Sequence, residues 1–255
     1  MTRLEAAIRD RNATGGAAFV PYVTAGLPEV DAGLLREIRD AGADALEIGV
    51  PFSDPVMDGG VIQEASRVAL ESGFRVMEAF ELVSEADLDI PVVLMTYLNP
   101  VVALGMERTL EMAAVAGVAG FIVPDLPADE GDEWAEKCAG ADVASVFLAA
   151  PGTDAARLEL VARHSTGFVY CVSTYGVTGA REELSGSAQE LVGALRPLTE
   201  RPLLVGVGIS TPEHAATARS FCDGVIVGSA LVRRLLEGDR DGAVRAAAAF
   251  RDALG

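Results

Sequence analysis

Eight short apolar segments alternate with amphipathic helical segments along the whole 255-residue chain. Nearly continuous apolar strands of this kind are typical of a parallel sheet that helices cover. Eight strand–helix units predict a single (β/α)8 barrel (TIM barrel) domain over residues 1–255, and a doubly wound parallel sheet is the alternative. The predicted strands are 17–24, 44–50, 91–97, 120–124, 144–150, 168–173, 202–208 and 223–229.

Helical patterns between these strands predict helices over 32–42, 61–73, 155–164 and 211–221. Ser210 or Thr211 can cap the last of them, and Pro212 is suited to its first turn. We expect three additions to the plain barrel. They are an N-terminal helix of roughly residues 2–13 that closes the bottom, a second helix between strands two and three, and a helix directly after strand eight.

The charge balance restricts the possible partners. The chain carries 38 acidic and 20 basic residues, a formal net charge of −18, whereas nucleic acids and anionic membranes attract positive clusters. The longest apolar stretch, residues 91–106, is interrupted by Tyr97, Asn99 and Pro100, so it is not expected to span a bilayer. No signal-peptide pattern is visible at the start, and we expect a soluble, cytoplasmic protein.

The cysteines and the single lysine restrict the kinds of site that the chain can form. Cys138, Cys171 and Cys222 are far apart and form no CxxC pair, which predicts neither a disulfide framework nor a zinc site. Lys137 lies in the predicted helix after strand four and should face solvent, so a Schiff-base mechanism is not expected.

The two histidines exclude further classes of enzyme. His164 and His214 lie in or beside predicted outer helices, and we interpret both as surface residues. Neither a metal cluster nor a Ser-His-Asp triad can then be assembled. Carboxylates and tyrosine hydroxyls remain as acid–base candidates.

Glu47 is the outstanding candidate, because it interrupts an apolar strand. Side chains alternate between the two faces of a strand, so Ala45, Glu47 and Gly49 should point into the barrel while Leu46 and Ile48 face the helices. Burial near the barrel mouth would raise the pKa of Glu47 toward a range useful for catalysis. The structural alternative is a glutamate that is paired with an arginine or with backbone donors.

Other strand ends carry further signals. Tyr170 shares an inward face with Phe168 and could present its hydroxyl to the same cavity, although a core tyrosine is common. Strands seven and eight end in the glycine-rich segments 206–210 and 227–230, where barrels of this kind often bind phosphate through backbone N–H groups. Matching glycines at the ends of consecutive strands favour a phosphate site over simple tight turns.

Five motifs together resemble the tryptophan synthase α subunit family, in order and over essentially the whole chain. They are FVPYVTAGLP (19–28), ALEIGVPFSDPVMDG (45–59), VSTYGVTG (172–179), GVGIS (206–210) and VGSA (227–230). The resemblance implies retro-aldol cleavage of indole-3-glycerol phosphate to indole and glyceraldehyde 3-phosphate. It implies no metal and no cofactor in this chain.

The resemblance also assigns roles to residues. Glu47 matches the general acid/base, and Asp58 matches a second carboxylate that binds the indole N–H. The positions that match the substrate pocket are Tyr22, Tyr97, Ile122 and Tyr170, and those that match the phosphate-binding backbone are Gly179, Gly208, Gly228 and Ser229.

Residues 172–188 match a mobile loop that covers the site, in which Thr178 corresponds to a threonine that meets Asp58 on closure. The family pairs with a β subunit that contains pyridoxal phosphate (PLP), in an α2β2 complex, and the loop with Asp54 and Pro55 matches the part nearest to that partner. This sequence departs from the family in two places. Gly60 stands where proline is common, which bears on how firmly Asp58 is held, and Tyr22 stands where phenylalanine is frequent.

Three other functions stay open from the sequence. A free-standing indole-3-glycerol-phosphate lyase would share the chemistry but need no β subunit, and Gly60 is the one hint of it. A sugar-phosphate isomerase or another phosphate-binding barrel would share the glycine-rich ends but not Glu47 and Asp58 together. A degenerate barrel that only binds and activates a partner would have no reason to keep both carboxylates.

Overall fold

The computed structural model describes residues 1–172 and 186–255. Within this part of the chain nine parallel strands form one sheet. They are β1 (Ala18–Thr24), β2 (Leu46–Gly49), β3 (Val92–Met95), β4 (Val118–Ile122), β5 (Ala144–Val146), β6 (Leu148–Ala149), β7 (Val169–Val172), β8 (Leu203–Gly206) and β9 (Gly224–Val227). Their order in the sheet is β5-β4-β3-β2-β1-β9-β8-β7-β6.

The sheet closes on itself at Phe147. The strands at the two ends of the order, β5 and β6, are successive parts of one chain segment, and only Phe147 separates them. The Phe147 carbonyl accepts a hydrogen bond from the Tyr170 N–H over 3.1 Å, which continues the pairing with β7. The predicted (β/α)8 barrel is therefore confirmed, with its fifth strand divided in two, and the open doubly wound sheet is excluded.

Twelve α-helices surround or close this sheet in the described residues. They are α1 (Arg3–Ala13), α2 (Ala32–Asp40), α3 (Gly60–Glu71), α4 (Val76–Ala86), α5 (Leu98–Leu104), α6 (Met106–Ala116), α7 (Asp132–Gly140), α8 (Ala155–His164), α9 (Gly186–Leu195), α10 (Pro212–Ala218), α11 (Ser229–Leu236) and α12 (Arg240–Leu254). The expected additions are present as α1, as the pair α3 and α4, and as α11 before α12. Thr211 caps α10, accepting a hydrogen bond from the His214 N–H over 3.3 Å.

One helix pair was not predicted from the sequence. After β3 the chain forms both α5 and α6, which meet at Gly105 with a φ of 91°. Pro100 is a helix breaker in the interior of a helix, but here it is the third residue of α5. The first turn needs no N–H from that position, so the proline is tolerated.

The core has two layers, and strand alternation separates them. Leu46 and Ile48 pack in the layer between sheet and helices, whereas Ala45 belongs to the cluster inside the barrel. Leu4 and Ile8 of α1 join the inner cluster and are fully buried, so α1 closes the amino-terminal end of the barrel. The carboxyl end of the strands is left for the site.

The structure shows where the three cysteines and the single lysine lie. Cys138, Cys171 and Cys222 are free and buried. Lys137 lies on outer helix α7 and pairs with Glu107 of α6. Among the described helices, none is long and apolar enough to cross a membrane.

The interpretation of His164 as a surface residue is wrong. His164 ends α8 and is buried, with its ring centroid 5.6 Å from that of Phe147. Its Nε2 lies 2.7 Å from Oδ1 of the exposed Asp132 at the start of α7. His164 was assigned to the surface because it lies in an outer helix, but its ring packs against Phe147.

Candidate active site

Glu47 lies inside the barrel with 1% of its surface exposed. In the sheet it is opposite Tyr22 of β1 on one side and Val93 of β3 on the other. Its buried Oε2 has no hydrogen-bond partner among the described residues, and none of the arginine ion pairs found there includes Glu47. The structural alternative, a glutamate neutralised by arginine, is therefore not what the barrel contains.

Burial controls the protonation of this carboxyl. Removal from water raises the pKa of Glu47 to about 8, and the nearby negative charge of Asp58 adds to the rise. At neutral pH the group is mostly the protonated acid. It can therefore give a proton to a ligand in the barrel mouth.

The loop between β2 and α3 brings Asp58 to the same cavity. Asp58 is 9% exposed, and its N–H donates to the Pro55 carbonyl over 3.0 Å. Gln63 of α3 donates from its side-chain amide to the Asp58 carbonyl, also over 3.0 Å. Gly60, which stands where a proline is common, is the first residue of α3. The contacts with Pro55, before Gly60, and with Gln63, after it, hold Asp58 in place.

Tyr97 holds the carboxylate of Asp58. It follows β3, and its hydroxyl donates to Asp58 Oδ2 over 3.1 Å while accepting the Met57 N–H over 3.0 Å. Its ring stacks on Phe52 with centroids 4.8 Å apart. Burial raises the pKa of Asp58 to about 6, and the hydrogen bond from Tyr97 opposes that rise. At neutral pH, Asp58 is thus mostly ionised while Glu47 is mostly protonated.

Two more tyrosines enter the barrel beside these acids. Tyr22 and Tyr170 are 5% and 8% exposed, and burial raises the pKa of each, so both remain neutral phenols. A methyl group on Gly206 of β8 would overlap the Tyr170 hydroxyl, and one on Gly49 of β2 would overlap the Tyr22 hydroxyl. Each tyrosine therefore depends on a glycine in a neighbouring strand.

The glycine-rich ends of β8 and β9 lie at the same end of the barrel. Gly208 follows β8 with a φ of 93°, and its carbonyl is 3.3 Å from Nδ1 of His214. Gly228 follows β9 and precedes α11, which begins at Ser229. The amides in the first turn of a helix have no acceptor within the helix, so this end suits an anion.

The remaining predicted positions divide into two groups. Ile122 at the end of β4 is 1% exposed and belongs to the inner cluster. Thr178 and Gly179, with most of the predicted covering loop, lie outside the described residues. Among the described residues, no group of three or more His, Cys, Asp or Glu side chains is arranged to hold a metal ion.

Comparison with known proteins identifies the family. A family model described as tryptophan synthase alpha chain matches residues 8–252. The chain belongs to the tryptophan synthase α chain family. A tryptophan synthase alpha chain from Leifsonia xyli is 42% identical over 254 residues, which cover 97% of both chains. One from Carboxydothermus hydrogenoformans is 42% identical over 236 residues, covering 91% of this chain and 88% of the relative.

Solved structures of the tryptophan synthase family agree. A chain of tryptophan synthase from Mycobacterium tuberculosis superimposes with a TM-score of 0.93 at 35% identity, covering 99% of this chain and 98% of that chain. Tryptophan synthase subunit alpha from Legionella pneumophila gives 0.90 at 31% identity, covering 100% and 98%. The family is a lyase family, so this chain is placed among enzymes rather than among isomerases or degenerate binding barrels.

The sequence interpretation missed three features of this tryptophan synthase α chain site. Phe52 lies in the quoted loop motif, yet its stacking on Tyr97 was not foreseen. Gly206 was counted as part of a phosphate segment, whereas its Cα faces the Tyr170 hydroxyl. His214 was interpreted as a surface residue, but its ring also contacts the Gly208 carbonyl. A histidine four residues after the loop's serine was the available signal for that contact.

Proposed function

We propose that this chain is the α subunit of a tryptophan synthase and cleaves indole-3-glycerol phosphate to indole and glyceraldehyde 3-phosphate. One observation carries the proposal: two buried carboxyls share the barrel mouth, and their pKa values of about 8 and about 6 lie on opposite sides of neutrality. Such a pair supplies an acid and an anion at the same pH.

Glu47 acts first as an acid and then as a base. Its carboxyl gives a proton to C3 of the indole ring, which makes the ring an electron-poor indolenine cation. The side-chain hydroxyl next to C3 loses its proton to the Glu47 carboxylate as the bond between C3 and that carbon breaks. The bonding electrons return to the ring, so indole and an aldehyde leave, and Glu47 is protonated again.

Asp58 stabilises the charge that develops between these steps. Its carboxylate accepts the indole N–H and faces the positive indolenine. The Tyr97 hydrogen bond keeps Asp58 ionised in a setting that would otherwise favour the neutral acid. Tyr97 is in this way a positioning residue for the charge, in addition to lining the pocket.

The other proposed contacts bind the two ends of the substrate. Tyr22, Ile122 and Tyr170 enclose the indole and the carbons attached to it. The backbone at Gly208 and Gly228 with the Ser229 hydroxyl binds the phosphate, because backbone donors can hold an anion despite the net charge of −18. By the family resemblance, Gly179 adds a phosphate contact and Thr178 contacts Asp58.

The chemistry needs no cofactor in this chain, and PLP is proposed only for the β subunit of an α2β2 complex. Val56 and Met57 support a partner at the loop that carries Asp58, since these apolar side chains are 73% and 53% exposed there. We further propose that residues 1–255 are one barrel domain in the cytoplasm, with neither nucleic acid nor membrane as a partner.

The test is the release of indole from indole-3-glycerol phosphate by the full chain, with and without a tryptophan synthase β subunit. We expect slow release by the chain alone and a large gain with the partner. Glu47→Gln should reduce the rate at least ~10³-fold, because the proton donor is lost. Glu5→Gln is the matched control, since Glu5 is also buried but pairs with Arg9 and Arg201 at the opposite end of the barrel.

Two outcomes would contradict the proposal in different ways. If no indole forms even with the partner present, the cleavage activity itself is wrong. If the chain alone turns over fast and the partner has no effect, the free-standing lyase replaces the α subunit. Glu5→Gln should keep its rate within ~2-fold even where it lowers stability, because it removes a charge network and no reacting group.

A further inference from the structure

The Tyr22 side chain spans the distance between the two ends of the site. A methyl group on Gly228, at the phosphate end, would lie 3.3 Å from Cδ1 of the ring and 3.5 Å from its Cβ. A methyl group on Gly49, two residues after Glu47, would overlap the Tyr22 hydroxyl oxygen. The Cβ of Tyr22 therefore lies beside Gly228, at the proposed phosphate end of the site. Its hydroxyl lies beside Gly49, at the end that contains the carboxyl of Glu47.

The Tyr22 hydroxyl is available as a hydrogen-bond donor. Its oxygen accepts a hydrogen bond from the Thr24 Oγ1 over 3.3 Å, and both residues are buried, at 5% and 0% exposure. Among residues 1–172 and 186–255, the contact with Thr24 is the one hydrogen bond found for this hydroxyl, and none is found in which it is the donor. A buried donor without a partner costs about 1–3 kcal/mol, so a ligand that supplies an acceptor there gains affinity.

The negative groups nearby keep this hydroxyl in its donor form. Burial, the charge of Asp58 and the charge of Glu47 all raise the pKa of Tyr22, whereas the Thr24 hydrogen bond lowers it. Because its pKa is raised well above its ordinary value, the phenol is neutral near neutral pH. Tyr22 can therefore bind a ligand atom, but it does not exchange protons with it.

The chemistry of the proposed substrate identifies that atom. The indole N–H is a donor and its ring carbons are apolar, so acceptors occur only on the three-carbon chain and the phosphate. The phosphate occupies the Gly228 end, beside the base of the tyrosine. The part of the substrate that reaches the Tyr22 hydroxyl is the section of its three-carbon side chain that carries the alcohol groups.

We propose that Tyr22 determines specificity for the hydroxylated side chain, by donating a hydrogen bond to a glycerol hydroxyl oxygen while Thr24 holds it in place. This inference rests on the proposed function, because it assumes indole-3-glycerol phosphate as the ligand. It adds a recognition element for the alcohol groups, which lie between the carboxylates and the phosphate-binding backbone. Tyr22 is then a binding residue for the atoms next to the bond that breaks.

The test compares two ligands that differ only in those hydroxyls. One is indole-3-glycerol phosphate, and the other is 3-(indol-3-yl)propyl phosphate, which keeps the indole and the phosphate. Dissociation constants are measured by calorimetry in a Glu47→Gln background, so that the first ligand is not consumed. Tyr22→Phe should weaken the first ligand by ~2–10-fold and change the second by less than ~2-fold, as expected for one hydrogen bond.

Two further variants separate this role from a structural one. Thr24→Val removes the group that orients the hydroxyl, and it should produce the same selective loss to a smaller extent. Tyr97→Phe serves as the matched control, because its partner Asp58 faces the indole end that both ligands share. It should weaken the two ligands by similar factors.

The outcomes are distinguishable. Equal loss of both ligands in Tyr22→Phe, or no loss of either, overturns the role of Tyr22 and leaves the proposed function intact. A wild-type chain that neither binds nor cleaves indole-3-glycerol phosphate overturns the proposed function and this inference with it. Selective loss in Tyr22→Phe with a common loss in Tyr97→Phe supports the assignment.

Discussion

The Tyr97 hydroxyl donates a hydrogen bond to Oδ2 of Asp58 over 3.1 Å, although the two residues are 39 positions apart. The same hydroxyl accepts the Met57 N–H, so a side chain after β3 holds both the backbone and the acid of the loop after β2. The site is therefore built across two neighbouring strand ends. The protonation of Asp58 depends on a residue from the other unit of the barrel.

Tyr97→Phe should move the acidic limb of the pH–rate profile. The lost hydrogen bond favours the carboxylate, so without it the pKa of Asp58 rises above about 6. We expect a ~10–100-fold lower kcat/KM at pH 7, of the size of one hydrogen bond to a charged group. The measurement is kcat/KM for indole formation from pH 5 to 9. The alkaline limb, which belongs to Glu47, is the internal control, and an acidic limb that stays in place would contradict the role of Tyr97.

The wild-type profile itself should be bell-shaped. Activity needs Asp58 ionised and Glu47 protonated, so kcat/KM should fall below about pH 6 and above about pH 8. Asp58→Asn should have low activity that no longer falls on the acidic side. A profile that is flat from pH 5 to 9 would show that neither buried carboxyl titrates in the reacting enzyme.

Glu47 should lower the stability of the protein as the pH rises. Its pKa is raised from 4.5 in the unfolded chain to about 8 in the fold, so the folded state binds more protons between these values. The cost is absent below about pH 4.5, grows through neutrality and is complete above about pH 8. Glu47→Gln should therefore raise the free energy of unfolding by about 1–4 kcal/mol near pH 8 and by little at pH 5.

Chemical denaturation at pH 5, 7 and 8.5 checks this dependence. Glu81→Gln on the exposed face of α4 is the control, and it should change the free energy of unfolding by less than ~0.5 kcal/mol at each pH. A Glu47→Gln effect that is the same at all three values would mean that Glu47 is charged in the folded protein across the range.

Local patterns were sufficient to predict the barrel and the direction of Glu47. The alternation in 44–50 assigned Leu46 and Ile48 to the helix side and Glu47 to the interior, because the period of a strand is two. The division of the fifth strand at Phe147 was not predictable, since the segment 144–150 is apolar apart from Ser145 and carries no turn signal. The helix α5 was missed because Pro100 is compatible with a first turn, a position that spacing alone does not reveal.

Contacts between units were the least accessible from the sequence. The bond from Tyr97 to Asp58 joins the ends of different strands. The contact between Tyr170 and Gly206 joins neighbouring strands at positions two residues apart in register. Both depend on strand register and loop path, and the hydrophobic pattern carries neither. Burial of His164 likewise depends on contacts with other units, with the Phe147 ring and with Asp132 at the start of α7.

Gly206→Ala should damage the site through Tyr170. The added methyl group would overlap the Tyr170 hydroxyl and the adjoining ring carbons, so the ring must leave its present position beside the acids. Gly206 does not have a positive φ, and the effect is therefore steric rather than conformational. We expect a loss of about 1–3 kcal/mol in the free energy of unfolding, together with a lower kcat.

Gly193→Ala is the matched control for this substitution. Gly193 lies within α9, and a methyl group there would meet no atom of the described residues within 4 Å. Because alanine is the better helix former, this variant should gain about 0.5–1 kcal/mol and keep its activity. The measurements are thermal denaturation and the rate of indole formation for both variants. If Gly206→Ala matches the wild type in both, Tyr170 is free to move, and the close packing on Gly206 does not position it.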